Sequence, residues 1–110
     1  MERLALLPLL KKKKGFFLSI LGLTRIESSL SPQELTKVLQ QKKTLLSCIE
    51  KVDDQIKKIR NSSSLLTLPQ EICEELEEIR SVIHSILETD KENYSIRKKE
   101  LGTYAKNRRM

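Results

Sequence analysis

From Leu35 onward the chain repeats at alternating intervals of three and four residues. The row is Leu35, Val38, Lys42, Leu45, Ile49, Val52, Ile56 and Ile59, and Lys42 is its one polar member. A repeat averaging 3.5 residues places these side chains in a seam along one side of a long bundle helix. Leu39 and Leu46 widen the stripe, which predicts more than one neighbour for this face. Gln41, Lys43, Glu50, Lys51, Asp54 and Lys58 fall on the opposite, watered side. The seam predicts that this helix organises the rest of the chain.

Its start is written into Ser31-Pro32-Gln33-Glu34. A serine hydroxyl caps, a proline takes the first helical position at no hydrogen-bonding cost, and a carboxylate follows at the reciprocal capping-box position. Leu30 and Leu35 flank the cap as a hydrophobic staple. Asn61-Ser62-Ser63-Ser64 breaks the pattern and predicts the stop.

Only three glycines, three prolines and no tryptophan occur in 110 residues, and the β-branched residues do not alternate with polar ones over any useful run. These features favour long helices over a multi-stranded sheet. A single helical domain over 1–110 is expected, with helices at about 2–29, 32–61 and 68–107.

In the first of these, the seam would be Leu7, Leu10, Lys14, Phe17, Leu21, Thr24 and Ser28. Pro8 predicts regular helix from near or after it, because an interior proline loses a hydrogen bond and clashes with the preceding turn. Gly15 and Gly22 each weaken a helix by about 1 kcal/mol relative to alanine. The run from Phe16 to Ile26 is apolar nearly all round, so it needs burial on several sides or a covering partner. The short link at Ser28–Ser31 makes the first two helices antiparallel.

The third helix begins at Thr67-Leu68-Pro69-Gln70, a second capping box. Ile72, Leu76, Ile79, Ile83 and Ile86 form its seam, which turns polar at Asp90, Asn93 and Arg97. An adjacent stripe of Leu87, Tyr94, Leu101 and Tyr104 takes over. The second half thus has few apolar residues for a core, and projection beyond the bundle and packing on it both remain open. Glutamates crowd the helix start and basic residues its end, the distribution a helix dipole favours. The expected fold is all-α: an antiparallel three-helix bundle, or long helical hairpin, with an extended C-terminal helix.

The formal charge of +6 admits nucleic acid, an anionic membrane or an acidic protein as partner. Scarce aromatic residues and the acidic run at Glu71–Glu78 make nucleic acid a distant third choice. Lys11–Lys14 follow the apolar Leu4–Leu10 run, the reverse of a secretory signal, and Phe16–Leu23 is too short to span a bilayer. Neither signal nor membrane span is expected, though the N-terminal stretch suits an interfacial helix. Cytoplasmic location and reduced Cys48 and Cys73 follow as expectations. No catalytic, cofactor or metal constellation is legible. His84 lacks a carboxylate at position 81, which is Ser81, and neither cysteine has a ligand-spaced partner. An enzyme is not expected.

Phe17-Leu18-Ser19-Ile20-Leu21-Gly22-Leu23-Thr24-Arg25-Ile26-Glu27 resembles the first-helix motif of flagellar type III export chaperones of the FlgN and FliT type. The resemblance continues through Glu34-Leu35, Leu39, Lys42-Lys43, Leu45-Leu46, Ile49, Asp53-Asp54 and Ile56. It extends to Ile86 through Tyr94, including the Asp90–Asn93 step, and covers about residues 16–108. It implies a cytosolic chaperone without ATPase activity. Such a chaperone binds the amphipathic C-terminal helix of a filament-associated protein (a hook–filament junction or cap protein), prevents its early assembly and delivers it to an export-gate component. The unmatched apolar residues Leu87, Tyr94, Leu101 and Tyr104 are the candidate partner-binding residues. The alternative for those residues is packing on the first helix. An empty chaperone can also dimerise through such a stripe. The alternative function is a structural coiled-coil adaptor self-associating through the Leu35–Ile59 seam.

Overall fold

The computed structural model describes residues 2–62 and 69–108, with side chains described over 5–60 and 69–99. Helix α1 spans Glu2–Ile26 and runs into a 3-10 turn at Glu27–Ser29. Helix α2 spans Pro32–Ser62, and α3 spans Gln70–Arg108. Over the described residues the fold is an all-α bundle of three long helices.

Ion pairs give the directions. Lys13 of α1 meets Asp53 of α2 at 2.7 Å, while Glu27 at the end of α1 meets Lys42, so α1 and α2 are antiparallel. Lys14 of α1 meets Glu75 and Glu78 of α3, and Asn93 of α3 meets Thr24, so α1 and α3 run parallel. At about 1.5 Å per residue, the 39 residues of α3 extend roughly 58 Å and account for most of the molecule's 68 Å length.

The central helix is α1, not α2 as its clean seam predicts. Both α2 and α3 pack along α1 and approach each other less closely. The α2 seam is nevertheless placed as its spacing requires: Val38, Ile49 and Val52 are buried, and Leu35, Lys42, Leu45, Ile56 and Ile59 are half-buried. Leu39 and Leu46 depart from expectation. Each stays 49% exposed, because α2 meets α1 closely on one flank and no second helix closes over the other.

Two apolar clusters fill the interior. Leu6 and Leu10 meet Ile72 and Ile79, with Ile56, Ile59 and Ile83 against them. Farther along, Ile20 and Leu21 meet Ile49 and Ile86, with Leu45 and Val82 alongside; Phe17 joins both clusters. The buried row of α1 is therefore Leu6, Leu10, Ile20, Leu21, Thr24 and Glu27. Leu7 is half-buried and Ser28 exposed, since α1 must serve two neighbours and its stripe is broader than a single seam. Leu18 and Ile26 lie on the remaining outer side and are exposed.

Pro8 stands inside α1 rather than at its start. Leu6 and Leu10 are anchored in the core on either side of it, and this packing offsets the missing amide bond. At α2 the Ser31 hydroxyl accepts the Glu34 amide at 3.3 Å, one half of the capping box. The α3 start is carried by Ile72 and Cys73 amides donating to the Pro69 carbonyl, and Thr67 lies outside the described residues. Neither cysteine is in a disulfide. Among the described residues, no helix is long and apolar enough to cross a membrane.

Lys13 and Lys14 use their charge inside the fold. Lys14 Nζ donates to Glu78 at 2.6 Å and to Glu75 at 3.2 Å, and these bonds, Glu78 first, raise its pKa above the ordinary 10.5. A raised lysine stabilises the fold fully below its unfolded pKa and loses that contribution as pH climbs through the higher folded value. The stability difference between the wild type and Lys14→Met, measured by urea titration, should therefore stay level to about pH 10 and shift against the wild type above 10.5. Gly15 and Gly22 both lie on the outer face of α1, where an added Cβ meets nothing within 4 Å. Gly15→Ala and Gly22→Ala should each stabilise the protein by about 1 kcal/mol in the same titration.

Candidate partner-binding groove

The third helix explains why its seam turns polar. Asn93 is 5% exposed, and its Nδ2 donates to the Thr24 carbonyl at 2.9 Å and to Glu27 Oε2 at 3.5 Å. Glu27, also 5% exposed, accepts from Lys42 Nζ at 2.5 Å and faces Arg97 Nη2 at 3.6 Å. Thr24 is wholly buried and returns its hydroxyl to the Ile20 carbonyl at 2.7 Å. One carboxylate, in the turn that follows α1, thus gathers side chains from both α2 and α3. The α3 segment through Arg97 belongs to the bundle, held by polar bonds where apolar residues run short.

Lys42 also reaches toward Asp90, 4.0 Å away and 48% exposed. This contact marks which residues of α2 and α3 lie level. Leu39 lies three residues before Lys42 and Leu46 four after it; Leu87 lies three before Asp90 and Tyr94 four after it. In antiparallel helices that spacing sets Leu46 level with Leu87, and Leu39 level with Tyr94. On α3, Glu75 and Glu78 face α1, so Leu87 and Tyr94 lie on the flank away from it. On α2, Leu39 and Leu46 share the flank of Lys42. The two levels of apolar side chains therefore edge one groove between α2 and α3, with Lys42 and Asp90 between them.

All four are exposed: Leu39 and Leu46 at 49%, Leu87 at 55% and Tyr94 at 67%. Leu87 and Tyr94 also line an open depression with His84, Glu88, Asp90 and Lys91. Packing of Leu87 and Tyr94 on α1 is thereby replaced by exposure on the α2 side. The side chains of Leu101 and Tyr104 lie outside the described residues, although α3 continues through both positions. Leu39 and Leu46 are groove residues that the seam alone assigned to the interior. Their signal was the matching pattern around Lys42 and Asp90, apolar three before and four after a charge.

The groove has no nucleophile–base pair or phosphate-cradling loop among the described residues. What it offers is an apolar surface with a charged centre, suited to a helix laid along it. No family model, no curated protein and no solved structure matches the chain.

A buried ion pair that loses one partner costs several kcal/mol, whereas replacing both with apolar groups costs little. Lys42→Met should destabilise the protein by about 3 kcal/mol, and adding Glu27→Leu should restore much of that loss. Urea-unfolding midpoints of the single and double variants check both expectations.

Proposed function

We propose that this chain is a helical export chaperone whose α2–α3 groove holds the amphipathic C-terminal helix of a flagellar filament-associated protein. What supports a helix-binding role is the exposure of Leu39, Leu46, Leu87 and Tyr94 on the flanks beside the Lys42–Asp90 contact, whose spacing sets Leu39 level with Tyr94 and Leu46 level with Leu87. A fourth helix lying there would complete the bundle and bury apolar surface worth roughly 25 cal/mol per Å² before association costs. The flagellar client, delivery to an export-gate component and cytoplasmic action rest on the resemblance of the stretches 17–27, 34–56 and 86–94 to FlgN- and FliT-type chaperones. Holding a client helix in a groove needs no bond chemistry, in keeping with a non-enzymatic role.

The adaptor reading requires the Leu35–Ile59 seam for self-association. That seam is occupied by α1 and α3 side chains within the chain. Self-association would then compete with the client for the α2–α3 groove.

Tagged protein purified from flagellum-assembling cells should carry a hook–filament junction or cap protein in near one-to-one amounts. Leu87→Asp and Tyr94→Asp should each weaken that complex by about tenfold or more, as buried apolar anchors do. Both sites are exposed in the unbound chain, so stability should move by no more than about 0.5 kcal/mol. Client binding unchanged in both variants would remove the groove from the mechanism.

A further inference from the structure

Resting on that reading of the groove, we propose that Asp90 selects among partner helices. It demands a basic side chain midway between two apolar anchors spaced one heptad apart. Leu46 and Leu87 form one apolar level, Leu39 and Tyr94 the other, and seven residues separate the levels on both helices. A helix laid along the groove therefore presents apolar side chains at positions seven apart. Between them its middle residue comes over Asp90.

The charges at that midpoint are unequal in availability. Lys42 is only 16% exposed, and its ammonium is already bonded to the buried Glu27 carboxylate. Lys91, next to Asp90, is engaged by Glu88 at 3.6 Å. Asp90 keeps one long contact, to Lys42 at 4.0 Å, and is half exposed. An ionised carboxylate accepts about four hydrogen bonds, so Asp90 has unused acceptor capacity facing the partner. An arginine or lysine there gains a charge-assisted bond as the helix excludes water. A carboxylate in the same place meets Asp90 with like charge and finds Lys42 committed to Glu27. An apolar side chain leaves Asp90 covered and unsatisfied. The occupant is thus an amphipathic helix whose apolar stripe is interrupted by one basic residue, and the groove rejects a continuous stripe.

The test uses the full chain and three labelled synthetic amphipathic helices. All three carry leucines one heptad apart and differ only at the midpoint: arginine, leucine or glutamate. Fluorescence anisotropy should show the arginine peptide binding about tenfold more tightly than the other two, the scale of one charge-assisted bond. Asp90→Lys should reverse the order of arginine and glutamate, and Asp90→Asn should compress it. Circular dichroism of both variants confirms that the helices persist. Equal binding of all three peptides, still lost in Leu87→Asp, would overturn selection by Asp90 and leave the groove intact. Failure of all three to bind would overturn both readings. Self-association of the chain that Leu87→Asp abolishes, with no peptide bound, would assign the groove to a second copy instead and likewise overturn the inference.

Discussion

The Glu27 carboxylate is the fixed point of the structure. A buried carboxylate is costly unless it is paired and hydrogen-bonded. Here the compensation comes from Lys42 on α2 and from Asn93 and Arg97 on α3. These groups meet only in one alignment of the three helices. A slide of either neighbour by one turn along α1 would keep leucines and isoleucines in contact, since apolar packing is tolerant of such shifts. It would also strand the carboxylate. The polar cluster thereby specifies register at a point where apolar contacts specify it poorly, the best-attested role of buried polar groups in helical assemblies.

Lys14 makes a second, less buried cross-tie to Glu75 and Glu78, and Lys13 a third to Asp53. All three ties begin on α1 or on the turn that directly follows it. This explains why a helix carrying a proline and two glycines can be the central element. Its own propensity is modest, and neighbours on two sides supply the stability. The consequence is geometric: with α2 and α3 both docked on α1, their far flanks stay apart, and Leu39, Leu46, Leu87 and Tyr94 are left uncovered. The register set at Glu27 and Lys42 also lines these residues up at matched levels. Stability and the candidate site thus depend on the same alignment.

Much of this was legible from the residues. The Leu35–Ile59 spacing, the Ser31 cap and the Ile72–Ile86 row place α2 and α3 nearly to their observed bounds, because period and capping are local properties of the chain. The sequence left Leu87 and Tyr94 open between packing on the first helix and exposure, and the structure exposes both. The expected start of the first helix near residue 2 agrees with Glu2. The preference Pro8 gives for regular helix from near or after it was overridden by tertiary anchoring at Leu6 and Leu10. The polar turn at Asp90, Asn93 and Arg97 was visible as an anomaly, but its meaning required Glu27, more than sixty residues away.

By itself, the sequence determined three helices, their approximate ends, their apolar stripes and their alternating direction. These follow from bonds and contacts within a few turns and from short connections. Only the tertiary structure decided that α1 is central, that Leu39 and Leu46 face outward, and that the charges interrupting the α2 and α3 seams converge. A 3.5-residue repeat defines where a stripe runs along a helix. It does not say which neighbour covers each flank, because that choice is made by simultaneous packing of three helices around one buried charge.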